Sequence, residues 1–167
     1  ALGSRAVREM RIEGELAVTL GSVAATRLKV ARGASALSFE GTIWSDGQSP
    51  AKELTTAGAL DLAELASLLR LPGLWKGMLA VEGALSGAGV LKEFKGTLAL
   101  AEGALHGLPI RQAEARVSLG RELLDVIGFS ARTEGGSISG AGSYAPVLER
   151  YRFVSRSEGC GPHLPPA

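Results

Sequence analysis

The sequence predicts an all-β protein: a repetitive, curved and twisted sheet that carries one short amphipathic helix. Three observations predict it. Apolar residues recur at every second position in separate stretches, one stretch alone switches to helical spacing, and glycine-centred motifs return along the chain.

The alternation comes first. Leu16, Val18 and Leu20 alternate with Glu15, Ala17 and Thr19, and Leu37, Phe39, Gly41 and Ile43 with Ser38, Glu40 and Thr42. Leu79, Val81, Gly83 and Leu85 form a third set, and Phe94, Gly96, Leu98 and Leu100 a fourth. Ala113, Ala115, Val117 and Leu119 follow, offset by Gln112, Glu114, Arg116 and Ser118, and Ile138, Gly140, Gly142 and Tyr144 end the series. A period of two gives strands with one apolar and one solvated face. The run from Leu123 to Ala131 breaks phase, which predicts a bulge there.

Residues 61–70 break the pattern differently. Leu62, Leu65, Leu68 and Leu69 have helical spacing, Asp61 and Glu64 stand as in a capping box, and Leu71-Pro72-Gly73 stops the run. A short helix is expected, either covering one end of its own sheet or offering leucines to a membrane or partner.

Repetition sets the organisation. Glu82-Gly-Ala-Leu85 recurs as Glu102-Gly-Ala-Leu105, with a near copy at Glu13-Gly-Glu-Leu16. Leu16 to Gly21 resembles Ala115 to Gly120, and Gly33 to Thr42 resembles Gly135 to Ser143, about 101 residues later. Residues 1–167 therefore read as one fragment of a repeat array. One copy spans about 10–110, and a second begins near 111 and is cut off at 167, where Glu158 to Pro165 replaces the helix. Repeats that cannot bury an apolar face alone stack on their neighbours. Gly14, Gly41, Gly83, Gly96, Gly103 and Gly142 recur in strand contexts, which calls for repeated bends or for close approach of another body.

Composition narrows the chemistry. Eighteen basic and 17 acidic residues leave a charge of +1, without the clustered cations that nucleic acid requires. The single cysteine, Cys160, forms no intrachain disulfide and reads as a loop residue. His106 and His163 are far apart and lack zinc-ligand spacing. Asp46 sits in a polar turn, no carboxylates are paired, and the glycine-rich Ser137 to Ser143 lies in a strand pattern with no helix after it. No enzyme, metal or cofactor is expected. Trp44 and Trp75 stand near turns and suit rim packing or an interfacial anchor.

Taken together, Gly77 to Gly87, Phe94 to Leu100, Gly103 to Ile110, Gly135 to Tyr144 and Leu60 to Leu65 resemble the repeat region of the AsmA/TamB superfamily, nearer to its TamB-like translocation and assembly module members. The resemblance covers roughly residues 10 to 165. It implies a β-taco, a long twisted sheet with an apolar groove. It also implies a periplasmic location, an inner-membrane anchor outside this chain, phospholipid as cargo, and an outer-membrane β-barrel assembly protein as partner.

The residues themselves point the same way. A bent, unclosed sheet with an aliphatic face leaves a trough that another molecule must cover, whereas a closed structure fills it as a sandwich core. The expected lining is drawn from Leu16, Val18, Leu20, Leu37, Phe39, Leu79, Val81, Leu85, Leu98, Leu100, Val117, Leu119, Ile138 and Tyr144. Two functions fit: a conduit that shields acyl chains for outer-membrane biogenesis, or a chaperone-like scaffold whose sheet edges receive strands of outer-membrane proteins.

Overall fold

The computed structural model describes residues 10–45, 53–87, 93–120, 123–145 and 150–159. In chain order they form β1 (Met10–Thr19), β2 (Ser22–Arg32), β3 (Ser35–Ser45), β4 (Leu54–Asp61), α1 (Leu62–Leu69), β5 (Met78–Ser86) and β6 (Glu93–Leu100). There follow β7 (Gly103–Leu105), β8 (Leu108–Ile110), β9 (Gln112–Leu119), β10 (Leu124–Arg132), β11 (Ser137–Ala145) and β12 (Arg150–Glu158). Ten strands make one open, curved antiparallel sheet in the order β1-β2-β3-β4-β5-β6-β9-β10-β11-β12. The fold is all-β with one short helix, as expected. Asp46, Cys160, His163 and the stretch 160–165 lie outside the described residues.

Each strand pairs with its neighbour in the chain except where β7 and β8 step out of the sheet as a separate hairpin. The sequence reading overlooks this hairpin. Its signal is His106-Gly107 between two apolar triplets, and both residues take positive φ (52° and 86°), the requirement of a tight hairpin turn.

The helix begins where expected. Asp61 caps it, its Oδ1 accepting from Ala63 N at 2.8 Å and Glu64 N at 3.0 Å. Glu64 is linked to the Asp61 backbone by way of a third residue. Ser35, at the start of β3, stands between them: Asp61 N–H donates to Ser35 Oγ, which donates to Glu64 Oε2, each at 3.0 Å. The helix ends at Arg70 in the left-handed conformation, one residue before the predicted stop, with Leu71 N bonded to Ala66 O.

Leu62 and Ala66 turn inward and are buried. Leu62 joins Leu100 and Ile110 in a core that Leu65, Trp75, Leu79, Leu105, Ala113 and Ala131 flank. Trp75 is thus packing, its Nε1 donating to Pro72 O at 2.7 Å. The same carbonyl accepts from His106 Nδ1 at 3.0 Å, and Lys76 and Ala104 exchange backbone hydrogen bonds. Helix, connecting loop and hairpin therefore form one plug over one end of the sheet.

The repetition has a counterpart in strand pairing. In β2 a bulge lies between Ala25, opposite Gly41, and Leu28, opposite Phe39. In β10 a bulge lies between Val126, opposite Gly142, and Phe129, opposite Gly140. Both pairings of β2 with β3 recur about 101 positions on, in β10 with β11. This is also where the Leu123–Ala131 run changes phase.

Removing the serine bridge tests the cap. Ser35→Ala is expected to lower unfolding free energy by about 1 kcal/mol, and Asp61→Ala by a similar amount. Because Glu64 acts through Ser35, Ser35→Ala combined with Glu64→Ala should cost less than the two separate losses in denaturant titrations.

Candidate functional site

Directly opposed residues of an antiparallel pair share a face, so the registers can be followed across the whole sheet. One transverse row runs Leu28, Phe39, Thr56, Gly83, Gly96, Val117, Val126, Gly142, Phe153. The next row towards α1 runs Val30, Leu37, Gly58, Val81, Leu98, Ala115, Phe129, Gly140, Ser155. Leu60, Leu79, Leu100, Ala113, Ala131 and Ile138 form the row at the helix end, and Leu54, Leu85, Phe94, Leu119, Leu124 and Tyr144 the row at the other. The opposite face reads Lys29, Ser38, Ala57, Glu82, Thr97, Arg116. One side is apolar and the other is charged and hydroxylic.

The sheet is curved, and on its apolar side glycine lets neighbouring strands approach closely. A Cβ at Gly83 would lie 2.5 Å from the Lys95 carbonyl oxygen and 2.8 Å from the Gly96 Cα on the next strand. Such separations are too short for any side chain to occupy. The chain's own rings use the same space. Phe94 lies against both Gly83 and Gly96, with ring atoms 2.6 Å from each missing Cβ, and Phe129 Cε1 is 2.8 Å from that of Gly140. The body that approaches these glycines is thus the neighbouring backbone together with an aromatic ring laid over it.

Cover is partial. Apart from α1 and the β7–β8 hairpin, every described element belongs to the sheet itself, so among the described residues nothing forms a second layer on the apolar face beyond the plugged end. The expected lining divides accordingly. Leu100, 2% exposed, and Leu79 are taken up by the core under α1 and are closed to a guest. Val81 and Val117 are buried mid-sheet, at 8% and 6%. Leu37, Phe39, Leu85, Leu98 and Ile138 are half-buried. Leu16, Val18, Leu119 and Tyr144 are exposed, and so is Phe153, which the sequence reading omits because β12 alternates Phe153 with Ser155 and Ser157. Leu20 is a correction: it lies in the turn after β1, fully exposed, because Gly21 (φ 90°) closes the hairpin there.

Thr56 stands in the middle of the apolar face. It is 6% exposed, and its Oγ1 has no hydrogen-bond partner among the described residues. A hollow of about 780 Å³ lies mostly on the polar face, where the short Ala57 and Ala84 sit among Lys29, Glu40, Glu82 and Lys95. Another of about 610 Å³ lies at the strand ends among Arg111, Arg132, Thr133 and Glu158. Both mix charges of the two signs, and of the apolar rows only Phe39, Thr56 and Gly83 reach the first of them. Among the described residues no His, Cys, Asp and Glu cluster could hold a metal, and no helix is long and apolar enough to cross a membrane.

Two substitutions separate a required glycine from an incidental one. Gly96→Ala is expected to cost at least about 2 kcal/mol of stability, while Gly135→Ala, whose Cβ meets nothing, should stay within about 0.5 kcal/mol. Thr56→Val removes the unpartnered hydroxyl at equal volume, and is expected to raise stability by about 1 kcal/mol in the same titrations.

Comparison with protein families, with curated proteins and with solved structures finds no match to this chain.

Proposed function

We propose that the chain is a segment of a lipid-transfer conduit whose apolar face shelters acyl chains. One observation carries the reading: one apolar parity runs across the sheet, and among the described residues no second element lies over that face beyond its plugged end. A bilayer-derived chain suits such a surface, since hydrophobic burial is non-directional and scales with contact area. At about 0.8 kcal/mol per buried methylene, ten methylenes contribute roughly 8 kcal/mol. That is enough to offset an association cost of several kcal/mol. The plugged end gives the trough a floor, and the exposed residues of β1, β9, β11 and β12 give it a mouth. Its lining mixes Leu and Val with the rings of Phe39, Phe129 and Phe153, and contact of this kind suits flexible chains because it demands no fixed geometry.

The resemblance to AsmA/TamB repeats supports the same reading and supplies its setting. That setting is the periplasm, with an inner-membrane tether beyond this chain and phospholipid bound for the outer membrane. A scaffold for client strands is the second reading, favoured by the exposure of β1 along its whole length.

Lipid capture is the test. The purified chain, mixed with phosphatidylethanolamine vesicles and re-isolated, should carry phospholipid by native mass spectrometry. Leu119→Asp and Phe153→Asp, both on exposed parts of the face, should cut capture roughly tenfold or more, because a carboxylate resists desolvation beside an acyl chain. Ser139→Asp on the polar face should leave it unchanged. Val81 is unsuitable for this purpose, since a charge at that buried position would unfold the sheet. A lipid-free chain, or capture indifferent to all three variants, would sink the proposal.

A further inference from the structure

Two long strands, β1 and β12, end the sheet, and each pairs on one side only among the described residues. Exposed edges of this length normally carry a proline, a covering loop or an inward charge. Within the described edges β1 and β12 have no proline and no cover, and the residues facing the apolar side include Met10, Ile12, Leu16, Val18 and Phe153. We propose that these two edges fit each other: β12 of one copy pairs antiparallel with β1 of a second copy, extending both faces across the joint.

Strand count fixes direction and face. The ten strands alternate in direction, so β12 runs opposite to β1. A β1 laid beside β12 in the same sense as the first therefore continues the antiparallel series with its apolar parity on the same side.

Hydrogen-bond phase agrees. In an antiparallel ladder the N–H and C=O of one residue point to the same neighbour. The turn bond Thr133 N to Gly136 O sets the phase of β10 against β11. Carried through the β11–β12 register, it leaves Phe153, Ser155 and Ser157 facing outward on β12. The two-residue turn between Thr19 and Ser22 makes that pair hydrogen-bonded, leaving Ile12, Gly14, Leu16 and Val18 facing outward on β1. Outward residues thus meet outward residues when Phe153 opposes Leu16.

Charge then selects this register. With Phe153 opposite Leu16, the overlap runs from Arg11 against Glu158 to Thr19 against Arg150, and Glu13 falls opposite Arg156. Within each strand these groups already pair two apart, Arg11 with Glu13 and Arg156 with Glu158. The joint turns the two pairs into an alternating ladder of four. A slip of two residues one way sets Glu13 against Glu158, and the other way sets Arg11 against Arg156. Like charges directly opposed destabilise a sheet. The contact is heterologous, so copies add head to tail, forming filaments unless curvature closes a ring.

Sedimentation velocity over roughly a hundredfold range of concentration tests the joint. The unaltered chain should grow from monomer into a ladder of oligomers. Glu13→Arg alone and Arg156→Glu alone should each weaken association roughly tenfold. An equal mixture of these two variants should recover it, since each variant's altered edge then faces the other's complement. Leu16→Pro should keep the chain monomeric without unfolding it, because the lost N–H points away from β2. A chain that stays monomeric throughout, or a mixture that fails to recover, overturns the proposal. So does association that survives Leu16→Pro but is lost in Leu119→Asp, which would mean that apolar faces stack instead.

Discussion

Whether a side chain in an antiparallel ladder stands on one face or the other depends on its parity, and every other property of this sheet depends on keeping that parity in step. Ten strands do so, and three of them need a correction partway. In β2 the apolar parity passes from Ala25 to Leu28, in β3 from Gly41 to Trp44, and in β10 from Val126 to Phe129. Each change of phase in the sequence coincides with a bulge, which rotates the rest of the strand by one position. Without the bulge, Phe129 and Ala131 would face solvent and Ser130 would face the apolar side. With it, the face stays continuous, and a single sheet can present a trough as wide as its strands are many.

Much of this was legible. The strands with regular alternation, such as Leu79 to Leu85 and Phe94 to Leu100, were found because each position reports its own face. The helix was found because Asp61 and Glu64 bracket its first turn. Less legible was anything decided by residues distant in sequence. Ser35 gives no sign, by itself, that it bridges a cap 26 residues on. Leu79 and Leu100 look identical to Leu85 and Leu98 in pattern. Only the return of α1 and the β7–β8 hairpin assigns the first two to a core and leaves the others half-buried. Leu20 was misplaced because alternation continues past the end of β1 into its turn. The glycines were recognised as bends, but not that Phe94 and Phe129 lie against them, since a ring's direction is not written in its neighbours.

The bends and the repeat belong to one mechanism. Gly142 and Gly41 occupy equivalent registers opposite Val126 and Ala25, so the curl is set at matching places in both halves of the sheet. A repeat that fixes curvature as well as pairing lets strands be added without changing the cross-section of the trough. Only the connections vary, and the β6–β9 step shows how: its extra hairpin leaves the ladder, joins the plug, and returns the chain to the next strand position.

The serine inside the helix cap has a mechanical consequence. Asp61 ends β4 and starts α1, while Ser35 starts β3, so three elements share one small polar joint. If the first residue of β3 frays, the helix loses its seat; if the helix lifts, β3 loses its anchor. The plug is therefore not a flap on a hinge but a wedge locked to the wall beside it, and the closed end of the trough should yield only when the sheet around it does.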